Sequence, residues 1–314
     1  MSHAAMRDEK LAYIRARLRL AKEILEESDR LPGLSGYREI SSAADKYHPR
    51  HEREALVIYL LLTCFDKLGQ DRRFLSLDNW LCSKKQNHVA ERDSCILSLP
   101  TQATPLEAAR ALSSEYRKLY GVRNAFYAGI YSLSEEDMHR LLRSIQVSIS
   151  PDHGRHGPNV STGSFPLEET DPRKQIMRFR FLYQKRNRFT HRLEQNDRGS
   201  APFASLPPSL YKAGAKENAA SWIIEIHEGN PVYMCGIQEI KYDQREKAHY
   251  IFTAHDWPFL LFEVLHSAIE IPFDRTNIDL SFQVRKNRGD QVMYWPSVDH
   301  KSIRLLCSGR ESSL

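Results

Sequence analysis

The sequence is poor in the features that mark membrane, secreted or metal-stapled proteins. No run of residues approaches the roughly 20 consecutive apolar positions of a membrane-spanning helix, and the densest, Ala55–Cys64, is short and closely flanked by charge. The N-terminal segment scatters charged residues from Arg7 to Arg30 where a secretory signal needs an unbroken apolar stretch. No membrane partner and no export are expected, and a cytoplasmic location fits. Five cysteines, Cys64, Cys82, Cys95, Cys235 and Cys307, form no C-x-x-C pair and are odd in number, which argues against a disulfide framework and against a thiolate zinc site. A Gly-x-x-x-x-Gly-Lys phosphate loop is missing, so ATP or GTP hydrolysis is unsupported. Neither a metal nor a cofactor is implied.

Excess charge is also lacking. Against 40 Asp and Glu stand 45 Lys and Arg, a net +5, too mild by itself to imply nucleic acid. The 41 % hydrophobic content of 314 residues suffices for one large or two ordinary domains. Local clustering is more informative. Between Arg173 and Arg192 lie Arg173, Lys174, Arg178, Arg180, Lys185, Arg186, Arg188 and Arg192, with no acid before Glu194. Such a stretch attracts a polyanion; its plainer reading is a solvated helix face.

Helical periodicity fills the first half. Residues 7–29 space Leu11, Ile14, Leu18, Ala21 and Leu25 three and four apart, a short heptad seam for the protein body or for a second chain. Pro32, Gly33 and Gly36 end it. The segment Arg53–Leu68 is apolar around most of its circumference and reads as a central, buried helix. After a polar, cysteine-containing connection, a long helix is expected over Pro105–Ile130, capped by Thr104, and another over Glu135–Ile149 after Ser134. Pro151–Pro172 reads as a loop, Pro172–Leu193 as helix, and 200–219 as a linker. Beyond it the period becomes strand-like, with a small antiparallel meander over Trp222–His227, Val232–Tyr242 and Ala248–Thr253. One helix, Trp257–Ile269, follows, then a hairpin around Arg288-Gly289-Asp290 and a basic, loose tail. The expected class is mainly α, with a C-terminal α+β module of one small antiparallel sheet and one helix. Its divisions are an amphipathic helix (1–36), a helical domain (45–195) and the module (215–314).

Two helical segments share a pattern. Leu119-Tyr120-Gly121-Val122-Arg123-Asn124-Ala125-Phe126-Tyr127-Ala128 and Leu182-Tyr183-Gln184-Lys185-Arg186-Asn187-Arg188-Phe189-Thr190-His191 agree at five of ten positions. The common frame is Leu-Tyr-x-x-Arg-Asn-x-Phe, and the second copy ends in His where the first ends in Ala. An Arg, a polar residue, three residues and a His, late in a helical bundle, resembles the signature of the HEPN superfamily (higher eukaryotes and prokaryotes nucleotide-binding), many of whose members are metal-independent endoribonucleases. The resemblance spans about residues 45–195; spacing alone proves nothing, and what raises its specificity to moderate is the Asn directly after Arg, the preceding Leu-Tyr and the helix placement. It implies an HEPN-like bundle, RNA as substrate, a homodimer, an antitoxin or other regulatory partner, and a toxin or antiviral-defence role.

The physical case stands beside that resemblance. Cleaving RNA through its own 2′-hydroxyl requires a base, a proton donor for the leaving 5′-oxygen, and positive charge on the phosphorane. Histidine suits either proton transfer near neutrality, and arginine offers a planar fork to two phosphate oxygens. His191 and Arg186 suit those roles. Asn187 and His191, four apart, share a helix face, and the stripe Ile176, Phe179, Tyr183, Asn187, His191 turns from apolar to polar. Arg186 and His191 diverge by about 140° on an ideal helix, so a second copy would complete the site, from a dimer mate or from 119–129. In that first copy Arg123, Asn124 and Ala128 match the family pattern with its His replaced. Ala128 marks either a naturally inactive copy or a catalytic His removed from a toxic protein; in the second case Arg123, Asn124 and position 128 form the true site.

Arg178, Arg180, Lys185, Arg188 and Arg192, with Tyr120 and Tyr183 as stacking surfaces, are candidate RNA contacts, although tyrosines at this spacing are more often core. His153 and His156, like His48 and His51, have metal-compatible spacing but sit among loop residues without a carboxylate-rich neighbour. Arg288-Gly289-Asp290 is a turn. Two other classes compete: a non-catalytic HEPN-like scaffold acting through helical dimerisation, and a DNA-binding regulator, for which no recognition motif is visible.

Overall fold

The computed structural model describes residues 3–30, 49–151, 164–192, 222–288 and 291–309. The expectations for Pro32, Gly33, Gly36, His48, His153, His156, the 200–219 linker and Gly289-Asp290 lie outside the described residues, as does the side chain of His51. The element order is α1 (His3–Asp29), α2 (Pro49–Leu68), α3 (Leu77–Cys82), α4 (Gln86–Leu97), α5 (Pro105–Tyr120), α6 (Val122–Tyr131), α7 (Glu135–Arg143), β1 (Ile145–Pro151), β2 (Phe165–Pro166), α8 (Pro172–Arg192), β3 (Ile223–His227), β4 (Asn230–Tyr233), β5 (Gly236–Asp243), β6 (Ala248–His255), α9 (Phe259–Ala268), β7 (Phe282–Arg288), β8 (Gln291–Val298) and α10 (His300–Cys307). Helices predominate and two four-stranded sheets accompany them. Among the described residues no helix is long and apolar enough to cross a membrane.

Helix α2 is the hub. Val57, Leu60, Leu61, Leu62, Cys64 and Phe65 are buried on nearly all sides, because α1, α6, α8 and α9 each pack against it. The heptad seam of α1 is used within the chain: Ile14, Leu18, Ala21 and Leu25 are buried against that body. At the far end of α1, Glu26 and Asp29 accept hydrogen bonds from the backbone N–H groups of Asp279 and Ser281 at 2.7 and 2.9 Å.

The expected long helix over Pro105–Ile130 is two. Its start follows the sequence, with Thr104 and Glu107 forming a reciprocal capping box. It breaks at Gly121, where a Cβ would lie 2.1 Å from the Arg117 carbonyl oxygen; the chain turns with φ −71° and ψ 128° and restarts at Val122. The Cys-containing connection before it holds α3 and α4. Likewise the helix expected over Glu135–Ile149 stops at Arg143, and Ile145–Pro151 becomes strand β1. Every residue of β1 pairs antiparallel with β6, from Ile145 opposite Ala254 to Pro151 opposite Ala248. The alternating Ile145, Val147 and Ile149 satisfy either period locally, and the long-range ladder decides.

The C-terminal strands also differ from a single antiparallel meander. One sheet has the order β2-β1-β6-β5 and is antiparallel throughout. The other, β4-β3-β7-β8, is mixed, because β3 and β7 run parallel. Beside α9 there is a second helix, α10, where a loose tail was expected. Its first residue, His300, is 5 % exposed among the rings of Phe282, Tyr233 and Phe259, at 4.4, 5.9 and 6.0 Å. Burial lowers its pKa from the ordinary 6.5, outweighing its hydrogen bond with the Ile278 carbonyl.

A close approach joins the end of α2, with the Gly69 that follows it, to α6. A Cβ on Gly129 would sit 1.9 Å from the Phe65 carbonyl oxygen, and one on Gly69 would sit 2.0 Å from that of Ala125. Backbone meets backbone there, so neither position has room for a side chain.

Two outcomes follow. In an unobstructed helix Gly→Ala stabilises by up to about 1 kcal/mol, whereas Gly129→Ala should destabilise by about 1–3 kcal/mol, read as a lower urea midpoint; a raised midpoint would refute the contact. For His300, the unfolded chain binds the proton first, so stability falls as pH drops through about 6.5. His300→Phe should flatten the pH dependence of the melting temperature below pH 6.5, and an unaltered slope would refute the burial argument.

Candidate functional site

A groove of about 460 Å³ opens where the end of α2, the segment after it, and the α5–α6 break converge. Helix α2 contributes Tyr59, Thr63, Asp66 and Lys67; the following segment contributes Gly69, Gln70, Asp71, Arg72 and Phe74. The break contributes Lys118 through Val122, with Asn124, Ala125 and Ala128 from α6. Tyr13 comes from α1 and Arg186 from α8. The groove therefore joins the first Arg-Asn segment, through Asn124 and Ala128, to the second, through Arg186.

The two copies differ in their local setting. The first spans a helix break, so Asn124 donates from Nδ2 to the Arg117 carbonyl at 3.1 Å and caps α5. Arg123 is exposed and lies over the Tyr127 and Tyr183 rings at 5.5 and 5.8 Å, outside the groove lining. The second copy sits within the continuous α8. Arg186 donates from Nε and Nη2 to Asp66 Oδ2 at 2.9 and 2.8 Å, and from Nη1 to Asn187 Oδ1 at 3.0 Å. The α8 backbone carries His191, Arg188 and Arg192, whose side chains lie outside the described residues.

Asp66 is the chief feature that the sequence reading passed over. Its side chain is 17 % exposed, and Oδ1 has no hydrogen-bond partner among the described residues. Burial raises its pKa from 3.8 to about 6, although Arg186 pulls in the opposite direction. A signal existed: Asp66 is the only charged residue between Glu54 and Lys67 in an otherwise apolar helix. What burial does to it was not visible there.

Much of the basic run on α8 is neutralised inside the fold. Arg178 is buried, donating from Nε to the Ile145 carbonyl at 2.7 Å and pairing with Glu169. Together with Lys174 it pulls Glu169 down to about 2 through hydrogen bonds. Lys185 is buried and pairs with Glu239 of β5 at 2.7 Å. These two side chains therefore brace β1 and β5, away from the groove lining; Arg180 is exposed. Nor does the apolar stripe of α8 hold throughout, since Ile176 is 53 % exposed. Tyr120 reaches the groove but donates to Glu91 at 3.2 Å and stacks on Tyr116. Tyr183 belongs to an aromatic cluster with Phe126 and Tyr127.

Compared with known protein families, curated proteins and solved structures, the chain matches none. The chemistry of the groove must speak for itself. Among the described residues no group of three or more His, Cys, Asp or Glu is placed to hold a metal ion. The lining combines Lys67, Lys118 and Arg186 with a carboxyl that titrates near neutrality. Those groups can hold an anion and move a proton in one place.

Asp66 gives a direct pH test. Its folded pKa lies above its ordinary value, so its contribution to stability is greatest below about 4 and is lost as pH rises through about 6. Carbon-13 NMR of the Asp66 carboxyl should show a midpoint near 6. Replacing Arg186 by Met removes the opposing charge and should move the midpoint higher. A midpoint near 4 in the wild-type chain would show that the carboxyl is solvated.

Proposed function

We propose that the groove is the site of a metal-independent endoribonuclease of HEPN type, which cleaves RNA through attack of the 2′-hydroxyl. The observation that carries this reading is the convergence of both Arg-Asn segments on one groove, with Asn124 and Ala128 facing the space that Arg186 and Asp66 also line. Under this reading the HEPN-like domain is the helical body, with the two sheets braced against it.

The chemistry asks for little more than the groove offers. Arg186, Lys67 and Lys118 would hold the phosphate and meet the charge that develops on the phosphorane. A group titrating near the working pH is the best proton relay, and Asp66 at about 6 meets that requirement from beside the phosphate position. An imidazole supplies the second proton transfer. His191 carries one on α8, and position 128, on the exposed side of α6 within the groove, is where the resembled pattern places another. A toxin or antiviral role, a homodimer and an antitoxin-type regulator belong to the resemblance.

A specific observation also favours a second reading, a non-catalytic HEPN-like binding protein: the groove position matching the family His is occupied by Ala128.

Restoring the imidazole separates the two. Ala128→His should cut single-stranded RNA in EDTA, leave 2′,3′-cyclic phosphate ends, and exceed the wild-type rate by about 100-fold or more. Arg186→Ala in that background should abolish the gain. No cleavage by either the wild type or Ala128→His would overturn the nuclease reading.

A further inference from the structure

Phe74 is the most exposed aromatic side chain lining the groove and has no ring partner among the described contacts. Phe74, in the extended segment between α2 and α3, lines the groove and is 61 % exposed. The neighbouring aromatic residues differ. Tyr120 stacks on Tyr116 with ring centroids 5.6 Å apart and meets the Arg72 guanidinium at 5.8 Å. Tyr13 is covered by Arg17 at 4.9 Å and Lys67 at 5.5 Å. Leaving an apolar ring in water forfeits the burial that ordinarily places phenylalanine in the core. At Phe74 this exposed ring borders a polar, cationic cleft containing Lys67, Lys118 and Arg186.

A free aromatic face beside cationic side chains is the combination that recognition of single-stranded nucleic acid uses. A base in a duplex already has both faces stacked, whereas an unpaired base can swing out onto a side chain. The groove volume, about 460 Å³, falls within the roughly 300–1,000 Å³ range of clefts that enclose small ligands. It is therefore of a size for a nucleotide.

Resting on the reading of the groove as an RNA site, we infer that Phe74 is the positioning residue that stacks on an unpaired base and makes the groove selective for single-stranded over double-stranded RNA. The base lies on the Phe74 face while its phosphate lies against Lys67, Lys118 and Arg186. Phe74 touches no reacting atom; it fixes the register in which the phosphate arrives.

Binding, not cleavage, tests this. The probe is a short single-stranded oligoribonucleotide with 2′-O-methyl groups, which cannot be cleaved, carrying 2-aminopurine at one position, titrated with the full-length chain. The wild type should quench the 2-aminopurine and bind the strand at least tenfold more tightly than its pre-annealed duplex. Phe74→Ala should remove the quench and weaken binding about tenfold, with melting temperature and the slope of affinity against salt unchanged, since an exposed side chain is removed without loss of charge. Phe74→Trp should restore both. Binding with an undiminished quench in Phe74→Ala, equal affinity for strand and duplex, or no binding of the strand by the wild type would each overturn the proposal. Loss of the quench in Phe74→Ala, alongside an inert Ala128→His, would uphold it while the nuclease reading fell.

Discussion

The groove exists because two backbones touch. Helix α2 and helix α6 approach so closely at Gly69 and Gly129 that a single added carbon at either would collide with a carbonyl oxygen. The residues beside this contact inherit its geometry. Asp66 follows Phe65, whose carbonyl faces Gly129, and Ala128 immediately precedes Gly129. Bringing the backbones together thus puts the carboxyl of one helix and position 128 of the other on the walls of one cleft. Gly121 adds the third wall, since the break between α5 and α6 turns Lys118, Tyr120 and Asn124 toward it.

Ion pairs lie on both sides of this contact, and the two sides differ in how fully their buried acids are satisfied. On the side of the sheets, cations are consumed: Arg178 binds Glu169 and the β1 backbone, Lys185 binds Glu239, and Arg275 joins Asp256 and Glu263. Those are bracing interactions whose loss would strand a buried charge. On the groove side a carboxyl is left half satisfied, with Oδ2 held by Arg186 and Oδ1 without a hydrogen-bond partner among the described residues. Burial costs the ionised form more than the guanidinium returns, and the balance sets its pKa near 6. The same pressure acts in the opposite chemical sense on His300, which burial keeps neutral.

The legible parts of the site were those with a sequence pattern. Asn124 and Arg186 belong to the repeated Leu-Tyr-x-x-Arg-Asn-x-Phe frame and Ala128 stands two residues beyond it, and all three line one groove. Asp66 and Phe74 carry no repeat or spacing, and their interest comes wholly from how much of each is exposed. Conversely, Arg178 and Lys185 looked like free cations in a basic run, because Glu169 stands just before the helix and Glu239 lies dozens of residues beyond it.

By itself the sequence determined what depends on near neighbours: the seam of α1, the apolar α2, the Thr104 cap and the switch to strand periodicity from Trp222 onward. Helix turns and caps are short-range, so periodicity within a few residues suffices to specify them. Only the tertiary structure decided that Ile145–Pro151 is a strand, that β3 and β7 run parallel in a second sheet, and that two Arg-Asn segments share a cleft. Those outcomes rest on ladders, desolvation and ion pairs between distant parts of the chain, and such free energies arise only once the chain has closed on itself.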